Sequence, residues 1–345
     1  MWVRKTFTVM NVLRFSGKQL IWISLWCILV TILHVIFHDF WPQIPWLPIS
    51  IIGTAVAFYV GFKNNQSYDR MWEARKIWGA IINSSRAWGS AVDVFISNHF
   101  TESKKSSGEI YAIKKKLIYR HIAWLYALRS QLLIPTPWEH ISQGKKMKKE
   151  TEKRMQRYGV GLLNDEDTKI KLSDFLPPEE QERLINYRNT ATQIINQQAR
   201  DLKDLREKDL IEDFRHMEMQ NLLNDFYVHQ GKAERIKKFP LPRQYAHSSL
   251  IFVVIFIMLL PLGMVTEFHK LGAYGPWISI PFSIVVSWVF MMMELVGDYS
   301  ENPFEGLGND IPMLSLCRVI EIDLKEMMEE TDIPQPVKAS NGVLM

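Results

Sequence analysis

The chain has 345 residues, and its 41 basic and 37 acidic side chains leave a formal net charge of only +4. So small a positive excess does not indicate nucleic-acid binding. The chain has only two cysteines, Cys27 and Cys317, which argues against a disulfide scaffold, and both are predicted to be packing residues. Length alone would allow two soluble domains, but long apolar runs indicate a membrane protein with basic cytosolic parts. The nine histidines show no metal-ligand spacing, so no metal site is predicted.

The N-terminal segment predicts a first membrane-spanning helix. Four basic residues lie within 1–18, and the uncharged run 19–38 that follows is rich in Trp, Ile and Leu. This run is longer than the apolar core of a cleavable signal peptide, and no small-residue cleavage site follows it. About 20 apolar residues span a bilayer, so we expect this segment to be retained as a helix. The prolines of the turn 39–48 then end it.

The stretch 48–79 predicts a second helix that crosses the membrane and continues beyond it. Residues 49–62 carry no charge, whereas a polar run opens at Lys63. No proline follows Pro48 within the stretch, so nothing in it is expected to break a helix. One uninterrupted helix is therefore predicted to run from the apolar part into the polar part.

An aromatic stripe lies within this predicted helix. Residues four apart share one face of a helix, so Thr54, Phe58 and Phe62 form a stripe about 12 Å long. Such a stripe packs on lipid, packs on a neighbouring helix or lines a pore. Taken alone, an aromatic stripe at helical spacing is more typical of packing.

The middle of the chain is polar and is predicted to be helical and cytosolic. Periodic apolar residues predict helices over 78–95 and 108–134. The run 144–157 is densely charged, which favours a solvated helix or loop, with a contact to lipid headgroups as the alternative. Two prolines followed by glutamates predict the start of a long helical stretch over 177–208, and another helix is predicted over 210–227.

Two further spans are predicted over 248–266 and 277–293, followed by an amphipathic helix over 312–330. The first of these spans contains Pro261, which a membrane helix tolerates when neighbouring groups satisfy the freed carbonyl. The short turns that connect the spans in pairs carry few basic residues, whereas the remaining segments carry many. Because basic residues stay in the cytosol, both termini are predicted to be cytoplasmic in a multi-pass protein of the cell membrane.

Two segments of the chain resemble the bestrophin family. The segment 61–79 reads GFKNNQSYDRMWEARKIWG and is similar over its length to the bacterial members, and the segment 298–312 is similar as well. In that family the corresponding helix lines the pore of a pentameric ion channel. The resemblance therefore implies a homo-oligomer, a pentamer, in which the aromatic stripe faces the pore rather than lipid.

The resemblance also implies which residues narrow the pore. The family forms a hydrophobic neck from residues at i, i+4 and i+8, and these positions correspond here to Thr54, Phe58 and Phe62. A cytosolic vestibule with a second constriction is implied as well, and its nearest equivalent is Ile211. Eukaryotic members bind calcium through acidic residues after the fourth span. The corresponding run 298–310 is interrupted here, so no calcium cofactor is predicted and a capped turn is the alternative.

Together these features predict an all-α, four-span membrane protein, pentameric around a central pore, with a large helical cytosolic domain. Residues 1–62 are predicted to hold the first two spans and 63–247 the cytosolic domain. Residues 248–298 are predicted to hold the last two spans and 299–345 a cytosolic tail.

The resemblance implies conduction of small monovalent ions across the lipid bilayer, since eukaryotic members conduct chloride and other anions and cation conduction occurs among bacterial relatives. The preference predicted here is for chloride and other anions, and it rests on the aromatic neck. The positive ring edges of Phe58 and Phe62 would favour anions if they pointed to the axis, whereas the charges over 63–73 have both signs and do not decide. A monovalent-cation channel of the same architecture and a membrane-anchored scaffold or sensor without conduction are the alternatives. An enzyme is not predicted, because the sequence contains no paired acid and base, nucleophile elbow or phosphate loop.

Overall fold

The computed structural model describes residues 1–157 and 172–345, and these residues are folded mainly into α-helices. Apart from isolated β-bridges near the chain ends, the described ranges contain no β-structure, which confirms the predicted all-α fold. Part of the predicted domain 63–247 lies outside the described residues. The main helices within these ranges are α1 (Val9–Ile36), α2 (Trp46–Phe95), α3 (Ser107–Leu133), α4 (Lys145–Arg157), α5 (Pro178–Ile185), α6 (Thr190–Glu207), α7 (Asp213–Lys238), α8 (Arg243–His269), α9 (Gly275–Asp298) and α10 (Met313–Met327).

Within the described ranges, four helices have the length and hydropathy of membrane spans, as predicted: α1, α2, α8 and α9. Helix α2 is an unbroken helix of 50 residues, about 75 Å long at 1.5 Å per residue. Its predicted continuation beyond the apolar run is therefore confirmed. Pro261 and Pro281 lie inside α8 and α9 without ending them.

The chain forms two compact units that are interleaved in sequence. The span unit comprises Arg4–Arg70 and Pro240–Glu301, and the large unit comprises Met1–Val3, Met71–Phe239 and Asn302–Met345. The unit boundaries fall between Val3 and Arg4, within α2 and in the segments that flank α8 and α9. Each unit therefore draws on segments that are far apart in the sequence.

The span unit has an apolar core to which α1, α2, α8 and α9 contribute. Helix α9 packs on α8 and α1, and α2 approaches α8 closely at Gly53, where a Cβ would lie 2.7 Å from the Phe256 ring. A larger residue at position 53 would have to displace that ring. The core consists of Ile23, Cys27, Ile49, Val56, Val60, Val253, Phe256, Ile257, Leu260 and Met291.

The large unit has its own aromatic and aliphatic core. Helix α3 packs on α6 and α10, and α6 packs on α7. The core includes Trp78, Trp88, Trp124, Phe226 and Cys317. Both cysteines are free and buried, so their predicted role as packing residues is confirmed.

Two local features of the large unit refine the predictions. The predicted continuous stretch over 177–208 is divided into α5 and α6, because the Asn189 side chain accepts a hydrogen bond from the Thr192 amide at 2.9 Å and caps α6. The charged run forms α4, and Thr151 and Met155 on it are buried. One face of α4 is therefore packed, and only the other is solvated.

Candidate pore-lining helix

The span-unit part of α2 has an exposed apolar stripe. Thr54 is exposed, and Phe58 and Phe62 are 66% and 61% exposed. Ile51, one turn before Thr54, is exposed on the same side. The Thr54 hydroxyl donates to the Ser50 carbonyl at 3.0 Å, so its proton is bonded within α2. The structure thus brings the three predicted neck residues onto one face that a single chain leaves uncovered.

The opposite face of the same helix is buried. Gly53, Val56, Val60, Lys63 and Ser67 recur at intervals of three or four residues and are all buried. Residues of this face are turned away from Phe58 and Phe62 because successive residues of an α-helix are about 100° apart. The helix therefore has a defined inner face within the chain and a defined outer face.

The polar end of the buried face is held by an ion pair. The Lys63 ammonium donates to the Glu294 carboxylate of α9, and both side chains are almost fully buried. The Ser249 hydroxyl of α8 donates to the second oxygen of Glu294 at 2.5 Å. Three helices are joined at this Lys63 cluster, which consists of Lys63, Glu294 and Ser249. Removing either charge would leave the other buried without its partner.

The residue after Lys63 adds a second connection between α2 and α9. The Asn64 side chain donates to the Met293 carbonyl at 3.1 Å. Its oxygen lies so close to α9 that a Cβ added at Gly297 would be 2.1 Å from it. Glycine at position 297 is thus required for this close approach. With the Lys63 cluster, this contact fixes which side of α2 faces outward.

Basic groups near the polar ends of the spans also have partners. The Arg70 guanidinium donates to the Glu301 carbonyl at 2.8 Å, and Arg243 pairs with the Glu301 carboxylate at 2.8 Å. Burial raises the pKa of Glu301, and the positive charge of Arg243 opposes that rise. The fold thus uses the charge of Arg243 to compensate a buried carboxylate.

An apolar groove runs beside the stripe. It has a volume of about 680 Å³ and is bordered by α2, α8 and α9. Thr54 and Phe58 form part of one wall, and Phe256 and Phe290 lie on the other side. Two neck residues therefore border both the exposed stripe and the groove.

The structure places Ile211 in the core of the large unit. Its side chain is fully buried, so within one chain it offers no surface to a passing ion. The exposed apolar residues nearest to it in sequence are Phe214, which is 77% exposed, and Met217, both in the first turns of α7. The assignment of a second constriction to Ile211 stays a prediction, and its burial gives that assignment no support. No sequence motif distinguished Phe214.

The segment after the fourth span is a turn closed by the carboxylate of Asp310. The Asp310 carboxylate accepts hydrogen bonds from the amides of Gly306 and Leu307 at 2.7 and 2.9 Å. Burial, together with the nearby Glu305 carboxylate, raises the pKa of Asp310 to about 8. Glu305 accepts from the backbone amide of His140 at 2.9 Å and contacts its ring nitrogen at 2.8 Å. This geometry is that of the capped turn.

Three histidines of the span unit, His34, His38 and His269, lie close together. His38 and His269 approach to 3.1 Å between their Nε2 atoms, and the His34 ring lies 5.3 Å from the His269 ring. Within 1–157 and 172–345, no three or more His, Cys, Asp or Glu side chains are arranged to hold a metal ion.

Known proteins share both the sequence pattern and this architecture. The family model described as Bacterial/Fungal Bestrophin protein matches residues 5–326. The voltage-dependent anion channel-forming protein YneE of Escherichia coli K12 is 24% identical over 290 residues, which cover 84% of this chain and 79% of that protein. A voltage-dependent anion channel-forming protein of Ralstonia nicotianae is 25% identical over 299 residues, covering 86% and 82%. A crystal structure of a bacterial bestrophin homologue from Klebsiella pneumoniae has a TM-score of 0.71 at 21% identity, covering 91% of this chain and 98% of that one. Since the family model matches nearly the whole chain, the protein belongs to the bestrophin family.

Proposed function

We propose that the protein is the subunit of a homopentameric channel that passes small monovalent anions across the cell membrane. The observation that carries this proposal is the exposed stripe of Thr54, Phe58 and Phe62, on the side of α2 opposite the Lys63 cluster. A helix whose buried face is fixed this firmly presents its other face in a defined direction. The names of the Escherichia coli and Ralstonia relatives support an anion as the permeant species.

A pore requires several copies of the chain. Each chain supplies one helix of the α2 type, so a closed wall needs a ring of subunits around an axis. The groove beside the stripe is an apolar surface of the kind that a neighbouring subunit covers, whereas the stripe itself faces the axis in this arrangement. The number of subunits is taken from the family resemblance.

The neck would act as a hydrophobic barrier. Narrow apolar constrictions lose water and can gate a pore by dewetting. Aromatic ring edges carry partial positive charge, which favours anions where they point to the axis. A monovalent-cation channel of the same architecture is the second candidate, because the exposed face of α2 also carries the carboxylate of Asp69.

Orientation and cofactor use complete the proposal. The distribution of basic residues supports cytoplasmic termini. We propose that calcium is not required and that the protein is a transporter of ions rather than an enzyme. The absence of a calcium requirement is supported by hydrogen bonds that these carboxylates already accept: Glu305 from the backbone amide of His140, and Asp310 from the amides of Gly306 and Leu307.

The test is conduction by the purified protein. Reconstituted into liposomes with a chloride gradient, it should carry a current whose reversal potential lies near the equilibrium potential of chloride. Its mass in mild detergent should be that of a pentamer. A protein that is inserted and folded, yet passes neither chloride nor sodium, would instead be a membrane-anchored scaffold or sensor. A reversal potential that follows sodium would favour the cation channel.

A further inference from the structure

The exposed face of α2 continues past the neck as polar side chains. Asn65, Gln66 and Asp69 are exposed, and all belong to the span unit. Asp69 follows Phe62 by seven residues, which is close to two helical turns, so it lies on the same side of the helix about 10.5 Å further along the axis. The stripe that carries the neck therefore carries a carboxylate next along its length.

The basic side chains at this level point elsewhere. Lys63 belongs to the buried face and is paired with Glu294. Arg70 is half-buried and donates to the Glu301 carbonyl. In the sequence, the positive charges of Lys63 and Arg70 oppose the negative charge of Asp69. In the fold, however, Lys63 lies on the buried face and Arg70 is bonded to the Glu301 carbonyl.

Asp69 has no comparable partner. Within 1–157 and 172–345, no side chain forms an ion pair or hydrogen bond with its carboxylate. It also lies far from both ends of α2, so it neither caps the helix nor complements its dipole. Aspartate is a poor helix former in the interior of a helix. The fold of one chain thus gives no structural reason for this carboxylate.

We propose that Asp69 determines the charge selectivity of the channel, an inference that rests on the proposed function. With one Asp69 from every subunit, the ring of carboxylates just beyond Phe62 attracts cations and repels anions. The measured preference between chloride and sodium is then a balance between this ring and the aromatic neck. Because the groups are exposed, the effect weakens as the Debye length shrinks at high salt.

Reversal potentials in asymmetric sodium chloride test this role. Asp69→Asn should raise the chloride-to-sodium permeability ratio severalfold, and Asp69→Lys should raise it further, with both effects larger in dilute than in concentrated salt. Asp93→Asn is the matched control, because Asp93 lies on the same helix but pairs with Lys114 in the large unit. The control should leave the ratio unchanged.

Chemical modification keeps the test independent of how well the lysine variant folds. The native cysteines are both buried, so a cysteine at position 69 can be labelled selectively. In Asp69→Cys, a positively charged methanethiosulfonate reagent should shift the reversal potential toward chloride, and a negatively charged one should shift it toward sodium.

The outcomes distinguish a failure of the role proposed for Asp69 from a failure of the proposed channel function. If the wild type conducts but neither the substitutions nor the labels change the permeability ratio, Asp69 is not the selectivity residue. If Asp93→Asn changes the ratio as much as Asp69→Asn, the effect is one of general surface charge and the inference is also overturned. If the wild type conducts nothing, the proposed function itself fails.

Discussion

Phe58 and Phe62 are large apolar side chains that the fold of a single chain leaves uncovered. Their exposure contrasts with Phe256, which is buried on α8 in the same unit. An aromatic side chain packed in a core contributes about 3–5 kcal/mol relative to alanine, whereas an exposed one contributes much less. The two positions should therefore affect conduction more than they affect stability.

Replacing Phe58 and Phe62 together by alanine should widen the neck and let water enter it, giving larger or more persistent chloride currents. The change should lower the free energy of unfolding by less than Phe256→Ala does. Phe282→Ala is the control for conduction, because Phe282 is 53% exposed on α9 and lies off the stripe. If the double variant fails to assemble while the control assembles, the rings pack between subunits or on neighbouring groups and the pore assignment is wrong.

His121 is a residue through which the folding stability of the large unit depends on pH. Its ring is buried beside Trp124 and Phe226, and its Nε2 lies 2.9 Å from the Ser85 hydroxyl. Burial lowers the pKa of His121 to about 3. Below pH 6.5 the unfolded chain binds a proton at this ring that the folded chain excludes. The free energy of unfolding is therefore not reduced by His121 above pH 6.5, and it declines as the pH falls toward 3.

Between pH 6.5 and pH 3, each pH unit should cost the fold of the large unit about 1.4 kcal/mol through this one residue. The backbone amides of α3 should therefore lose protection against hydrogen exchange between pH 7 and pH 5, once the measured rates are corrected for intrinsic exchange rates. His121→Gln should flatten this dependence, whereas the exposed His99 replaced by Gln should retain it. An equally steep loss in His121→Gln would assign the effect to other groups.

At the scale of helices, the sequence predicted the spans well and their ends less well. The predicted span 19–38 corresponds to a helix that begins at Val9 and ends at Ile36. The helix begins earlier than predicted because hydropathy detects only the charge-free run, whereas the helix includes Arg14 and Lys18. Helix α2 was predicted as continuous, and the neck residues were assigned from the family resemblance. The burial of Lys63 could not be predicted, since its partner is 231 residues away in the chain.

The Lys63 cluster gives a prediction for the packing of α2 against α8 and α9. Lys63→Met alone leaves Glu294 buried without its partner and should destabilise the protein by about 3–5 kcal/mol, measured as thermal stability in detergent. Lys63→Met combined with Glu294→Leu should recover most of that loss, because two apolar side chains need no counter-charge.

Lys76→Met is the control for the loss of a lysine from α2. Lys76 pairs with Glu73 on the helix surface, and exposed pairs of this kind contribute about 0–1 kcal/mol. If Lys63→Met were as stable as Lys76→Met, the buried pair would not hold the helix, and the fixed orientation of the neck would need another cause.

At the scale of the whole molecule, regulation by calcium is open to a direct test. Because the carboxylates of Glu305 and Asp310 already accept hydrogen bonds from backbone amides, we expect micromolar calcium to leave the chloride current unchanged. The current is measured in planar bilayers with calcium buffered from nanomolar to micromolar levels. Reversible activation that disappears in Asp310→Asn would show that the turn opens to bind the ion.

The interleaving of the two units has a consequence for how the chain is synthesised. The last segment of the large unit, Asn302–Met345, contains α10, which packs on α3 through the 2.6 Å hydrogen bond between Tyr126 and Glu321. The ribosome makes α10 only after α8 and α9. The large unit consequently cannot finish folding before α10 has been synthesised. Until then, the apolar surface of α3 that α10 covers in the folded chain remains exposed. This delay is the period in which a nascent chain is most prone to aggregate and most dependent on chaperones.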